Sequence, residues 1–137
     1  MIAIAGKNEK MKQHFESIVK EFKREKDIKV LPFTDKVPEL MAISDLVITK
    51  PGGLTITESL ASGLPIIIVS PIPGQEEENA EFLEEKGIAV WIRKHENPQT
   101  ILGLLLNNKE KLEQMKQNTN LLANKNSTGD ICEILLQ

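Results

Sequence analysis

Short runs of apolar, mostly β-branched residues alternate along this chain with longer segments in which apolar residues recur every three or four positions. The runs at Ile2 to Ala5, Ile28 to Leu31, Leu46 to Thr49, Ile66 to Ser70 and Ile88 to Ile92 predict five strands. Between the first two, Met11, Phe15, Ile18, Val19 and Phe22 recur at helical spacing behind Asn8, a candidate N-cap. Asp35 is a candidate cap for a short helix carrying Leu40 and Met41. A further helix should begin near Leu54 and stop at Gly63 before Pro65, and another should run from about Glu76 to Lys86 and end at Gly87. Asn97-Pro98 reads as the cap and first turn of a helix bearing Ile101, Leu102, Leu105 and Leu106. Two more helices follow, one around Leu112 and Met115 and one after Ser127 with Ile131, Ile134 and Leu135.

Strict alternation of strand and helix, with nearly continuous apolar strands, implies an α/β fold: a Rossmann-like parallel sheet flanked by helices on both faces. Ligands bind such sheets beyond the carboxyl ends of the strands. The loops after Ala5, Leu31, Thr49 and Ser70 are therefore where chemistry is expected.

A length of 137 residues suits one domain, 1–137, with one compact core. The apolar run Ile66 to Val69, with its neighbours, is interrupted by Pro65, Pro71 and Pro73, far short of the roughly 20 residues that cross a bilayer. No membrane span is expected. A net charge of −3 argues against a nucleic-acid partner. The lysines of the first helix, Lys10, Lys12 and Lys20 among them, are interleaved with Glu9, Glu16 and Glu21, as on a solvated face. Cys132 is the only cysteine, so no internal disulfide is possible. With no secretory leader before Ile2, a reducing, cytoplasmic location is expected.

The loop after Thr49 reads Lys50-Pro51-Gly52-Gly53-Leu54-Thr55-Ile56-Thr57-Glu58: a rigid turn, two glycines and a helix N-terminus. Glycines let a backbone approach a ligand closely, and the first N–H groups of a helix offer donors and partial positive charge to a phosphate. The same residues also suit a plain strand-to-helix turn in which Thr55 and Glu58 form a capping box. At Gly53 a positive φ is expected, which a branched side chain would disfavour. Neither GxGxxG nor GxxxxGK[ST] is present, so nicotinamide and P-loop chemistry lack their usual support.

The loop Ser70-Pro71-Ile72-Pro73-Gly74-Gln75-Glu76-Glu77-Glu78-Asn79 is stiffened by two prolines. Its glutamates suit the positive end of the following helix, and Gln75, Glu76 and Asn79 also suit the hydroxyls of a sugar. Lys7, in Gly6-Lys7-Asn8, is either a phosphate contact or a surface lysine beside a cap. His14 and His95 lack the spaced partners of a metal site or a catalytic triad, so no metal is expected.

Taken together, Ile48-Thr49-Lys50-Pro51-Gly52-Gly53-Leu54-Thr55-Ile56-Thr57-Glu58, then Gly63-Leu64-Pro65, then Pro73-Gly74-Gln75-Glu76 with Asn79, resemble the processive diacylglycerol glucosyltransferases of bacteria and the related monogalactosyldiacylglycerol synthases of plants. The resemblance covers nearly the whole chain. It implies the C-terminal, donor-binding half of a GT-B glycosyltransferase, an inverting enzyme that moves glucose or galactose from a UDP-sugar to diacylglycerol. By motif, Gly52, Gly53 and Leu54 would face the diphosphate and Glu58 the ribose, Gln75 and Glu76 the hexose, and Phe33 and Thr34 the uracil, with Thr55 and Asn79 also among the donor-binding residues. The UDP-sugar is a substrate, and no cofactor is implied. In the family a strand, a glycine-rich loop and a helix precede the stretch that starts here at Ile2, and an acceptor domain precedes those. The general base and the membrane contact would come from that domain or from a membrane-associated partner subunit, so no catalytic residue is assigned. Two other readings are a separate donor-binding subunit, like that of split N-acetylglucosaminyltransferases, and a non-catalytic α/β module.

Overall fold

The computed structural model describes residues 1–123 and 126–136. It divides into two compact units, Met1–Val37 and Pro38–Gln137.

The first unit is a single βαβ element. Strands β1 (Ile2–Ile4) and β2 (Lys29–Leu31) pair in parallel, and helix α1 (Glu9–Glu21) connects them. Asn8 caps α1 as its sequence predicts, its Oδ1 accepting from the Met11 N–H at 3.0 Å. Of the five residues whose spacing predicts this helix, only Val19 is buried, and Phe22, just past the last turn, is 68% exposed. Scale explains the difference. Three-residue strands are about 10 Å long, whereas a helix of 13 residues extends about 20 Å, so such a ribbon covers only part of the helical face.

The second unit is built on a sheet of three parallel strands, β3 (Val47–Thr49), β4 (Ile66–Val69) and β5 (Ala89–Ile92), in the order β3-β4-β5. Helix α2 (Val37–Ala42) leads into β3, α3 (Gly53–Ala61) joins β3 to β4, and α4 (Gln75–Glu85) joins β4 to β5. After β5 come α5 (Pro98–Leu106), α6 (Lys109–Leu122) and α7 (Ser127–Leu135).

The central strand is buried on both faces because its successive side chains alternate between two apolar layers. Ile66 and Ile68 pack with Ala80 and Leu83 of α4 and with Ile88 and Ala89, flanked by Ile56 and Leu60 of α3. Ile67 packs with Ile92, with Leu105 of α5 and with Met115 of α6. Fully burying an isoleucine contributes about 1.5–3 kcal/mol. β4 is therefore the buried centre of this sheet, between β3 and β5.

This is the α/β arrangement that the alternating pattern predicts, with parallel strands flanked by helices. Asn97 caps α5 as expected, its side chain accepting from the Gln99 and Thr100 N–H groups. Asp35 does not have the expected place: α2 begins at Val37, and the side chain that takes a backbone N–H at this turn is Thr34, whose Oγ1 accepts from Lys36 at 3.1 Å. At the end of α4, Gly87 has φ +66, and a Cβ there would meet Asn118 Nδ2 at 2.7 Å. That amide donates to the Gly87 carbonyl, which ties α6 to the exit of α4.

Candidate functional site

Strands β3 and β4 run side by side with Thr49 opposite Ile68, so the loops that follow them leave the same edge of the sheet. Each loop opens a helix through a glycine N-cap, Gly52 for α3 and Gly74 for α4, and neither cap makes a side-chain hydrogen bond. The first intrahelical bonds are Ile56 N–H to Gly52 O and Glu78 N–H to Gly74 O, both 3.0 Å. The amides of Gly53, Leu54 and Thr55 precede the ladder of α3 and have no partner within it.

The reason for two glycines at this turn does not lie in the backbone. Gly52 has φ −70 and ψ 143, an extended conformation open to most residues. Gly53 is helical and, contrary to the expectation from sequence, is not among the residues with positive φ. Nor does packing require them, since a Cβ at either position would meet nothing within 4 Å. Glycine inside a helix is less stable than alanine by about 0.5–1 kcal/mol. What the pair leaves is an unobstructed approach to the first amides of α3.

The capping box is not formed. Gly52, not Thr55, is the N-cap, and Thr55 is the third residue of the helix. Hydroxyls along α3 bond back to the preceding turn instead, Thr57 Oγ1 to Gly53 O at 3.0 Å and Ser59 Oγ to Thr55 O at 2.7 Å. Glu58 is exposed, and among the described residues its carboxylate accepts no hydrogen bond. Leu54, next to the glycines, is 84% exposed.

In the second loop Gly74 has φ +96 and ψ −125, a region that only glycine enters freely. Ser70, at the end of β4, has φ +47, which is uncommon outside glycine and has no signature in the sequence. Glu76 closes this loop, its Oε2 accepting from the Ile72 N–H at 2.7 Å. Gln75, the first residue of α4, is exposed. Asn79 reaches out of its own loop: its Nδ2 donates to the carbonyl of Pro51 at 2.9 Å, across 28 residues of sequence. The structure thus brings the two loops together through a side chain expected to meet a sugar.

Phe33 and Thr34 belong to the first unit, just past β2. Phe33 is exposed, and the Lys7 ammonium lies 5.1 Å from its ring centroid, a cation–π distance. His14 and His95 are both exposed. Among the described residues no three of His, Cys, Asp and Glu converge closely enough to hold a metal ion. No helix among them is long and apolar enough to cross a membrane.

The polar cluster that sequence reading missed joins α4 to β5. Glu84 takes Arg93 Nη1 and Nη2 at 2.9 and 2.7 Å and also accepts from the Trp91 N–H at 3.0 Å. The bond from Arg93 is the main reason the Glu84 carboxyl lies below its usual range, with partial burial opposing it. The only sequence signal is that both residues are charged.

Residues 1–131 match the family model of the glycosyltransferase family 28 C-terminal domain. The processive diacylglycerol beta-glucosyltransferase of Bacillus pumilus is 39% identical over 137 residues, all of this chain and 35% of that protein. The chain therefore spans about a third of that relative's length. Among solved structures, Acinetobacter baumannii MurG superposes with a TM-score of 0.78 at 23% identity, covering 97% of this chain and 40% of that one. Anabaena HepE in complex with UDP gives 0.68 at 20%, covering 98% and 40%. At these identities the likeness establishes the fold, that of the C-terminal half of a GT-B glycosyltransferase. A parallel sheet whose strand ends open onto glycine-capped helices, matched from its first residue to its 131st, shows that this chain belongs to the glycosyltransferase family 28 C-terminal domain family.

Proposed function

We propose that this chain holds the UDP portion of a UDP-hexose, as the donor half of an inverting glycosyltransferase that moves glucose or galactose to diacylglycerol. The observation that carries the reading is the Gly52–Gly53 pair, which neither φ nor internal packing requires and which leaves the amides of Gly53, Leu54 and Thr55 open to approach. A ligand that must come close to those amides supplies the missing reason for glycine. Two comparisons support it: the relative in Bacillus pumilus is named for glucosyl transfer to diacylglycerol, and HepE, which shares the fold, was crystallised with UDP.

In this reading the acceptor oxygen attacks the anomeric carbon, and the bond from that carbon to the β-phosphate oxygen breaks. UDP leaves with the electron pair. The charge that develops on the diphosphate meets the positive end of α3 and its preorganised amides. Glu58 accepts from the ribose hydroxyls, Gln75 and Glu76 face the hexose with Asn79 beside them, and Phe33 and Thr34 contact uracil. The acceptor and the base that takes its proton come from an acceptor domain or a membrane-associated partner, at the cytoplasmic surface of a membrane. The UDP-sugar is consumed as substrate.

Calorimetry with UDP on the wild-type chain and on Gly53→Val tests the proposal. UDP should bind the wild type, and the variant should lose that affinity while keeping its circular-dichroism spectrum, because a branched side chain fills the approach to the amides. A folded Gly53→Val chain with unchanged UDP affinity rejects the cradle.

A further inference from the structure

Asn79 does not simply stand in line with Gln75 and Glu76. Its Nδ2 donates to the Pro51 carbonyl at 2.9 Å, while the Gly52 N–H donates to the Lys50 carbonyl at 2.9 Å. The Pro51 carbonyl and the Gly52 N–H are the two ends of one peptide group. Both of its polar ends are thus engaged, one by a side chain from α4 and the other by the turn itself. Pro51 is fully buried, so the N-terminal side of this peptide is already fixed. The other side is glycine, followed by a second glycine, and glycine accepts almost any rotation of the plane.

From this geometry we infer that Asn79 is a positioning residue: it locks the Pro51–Gly52 peptide plane so that the glycine turn holds the start of α3 in its ligand-ready form. The inference rests on the proposed binding of UDP at this turn. Without the amide of Asn79, a coupled rotation about Pro51 ψ and Gly52 φ exchanges the places of the carbonyl and the N–H at little steric expense. The first turn of α3, which begins at the next residue, then loses its fixed starting point. The helix that presents Gln75 and Glu76 is the one that supplies the lock, so the hexose-facing and diphosphate-facing loops are held in one register. Glu76 and Asn79 are three residues apart on α4 and so share a face. One closes the loop of its own helix, and the other closes the loop of its neighbour.

The test uses the 137-residue chain and its Asn79→Ala and Asn79→Asp variants, with UDP and UDP-glucose as probes. Asn79→Ala should bind UDP and UDP-glucose about tenfold more weakly, and by the same factor, as expected from the loss of one hydrogen bond. In the ligand-free protein the Gly52 amide should exchange faster with solvent, while amides of β4 are unchanged. Asn79→Asp should behave like the alanine variant at pH 8, where a carboxylate faces a carbonyl. It should recover relative to wild type at pH 5, as a protonated carboxyl able to donate to Pro51 becomes populated. Weakening confined to UDP-glucose would make Asn79 a direct sugar contact and overturn the proposal, as would unchanged exchange at Gly52. A wild-type chain that fails to bind UDP overturns the reading of function and this inference with it, whereas wild-type binding matched by Asn79→Ala overturns the inference alone.

Discussion

The carboxylate of Glu84 and the guanidinium of Arg93 meet in a two-pronged ion pair, 2.9 and 2.7 Å, with the guanidinium lying 4.1 Å from the centroid of the Trp91 ring. Arg93 also donates to the Trp91 carbonyl, and its own N–H is taken by Glu96. β5 is an edge of its sheet, and Glu84 occupies the Trp91 N–H with a charged acceptor. An edge strand whose donors are covered this way is a poor template for another chain.

The pair predicts a pH-dependent contribution to stability. Glu84 in the folded chain lies below its ordinary value of 4.5, chiefly through the bond from Arg93. A carboxyl with a depressed folded pKa binds fewer protons folded than unfolded, so its stabilisation is present above the ordinary value and is lost as pH falls through the folded one. Both side chains are about a third exposed, at 37% and 35%, so solvent screening limits the effect. Glu84→Gln should therefore cost only about 0.5–1 kcal/mol at pH 7. Urea unfolding should show that difference from wild type at pH 7, and the difference should shrink as pH falls below the ordinary value of 4.5. A gap that widens on acidification would contradict the assignment.

Gly53→Ala should separate stability from binding. The backbone at Gly53 is ordinary helix and a Cβ there meets nothing, so alanine should stabilise the chain by about 0.4–1 kcal/mol, mainly by restricting the unfolded state. The same methyl group lies on the approach to the first amides of α3. UDP affinity should therefore fall while the urea midpoint rises. Calorimetry and denaturation on one preparation decide it, and a rise in both quantities would remove the ligand-approach explanation for glycine.

The strands and most helix ends were legible in the sequence because their determinants are local. Asn8 and Asn97 cap the helices they precede, and Gly63 and Gly87 stop the helices they follow, with φ +68 and +66. The lapses share a different cause. Thr55 and Glu58 have the spacing of a capping box, but the chain enters the helix two residues before Thr55. Nothing in the spelling distinguishes those entry points. Asn79 and Pro51 are 28 residues apart, and Glu84 and Arg93 are nine apart on different elements, so neither contact follows from periodicity. That glycine-bearing loops follow β3 and β4 could be read from the sequence, whereas the way those loops are fastened to each other could not.

Glu58→Ala should weaken UDP without weakening the fold. The carboxylate is exposed, accepts no hydrogen bond among the described residues and caps nothing, so its removal leaves no orphaned partner. If it receives the ribose hydroxyls, loss of a charged hydrogen bond should reduce UDP affinity by about 1.5–3 kcal/mol. Pyrophosphate, which has no ribose, should bind the variant and the wild type alike. Equal losses for both ligands would remove the ribose assignment and point to a general electrostatic effect.

The last prediction concerns the chain by itself: purified, it should bind UDP and yet transfer no sugar to diacylglycerol. Transfer requires a base within hydrogen-bond reach of the acceptor hydroxyl and a surface that holds lipid and donor together. Orientation of that kind accounts for roughly 7–11 kcal/mol of a barrier. Near the glycine turn, Asn79 bonds to Pro51 and Glu76 to Ile72, and Glu58 is the residue proposed above for the donor's ribose. The Bacillus pumilus relative, moreover, is nearly three times as long, since this chain corresponds to 35% of it. A labelled-sugar assay should be run on the chain and, beside it, on the same domain joined to an acceptor domain from that relative. Labelled glycolipid should form only in the joined protein, with UDP binding preserved in both. Glycolipid produced by the isolated chain at a comparable rate would mean that the base lies within these 137 residues, and Glu58 would be the first to examine.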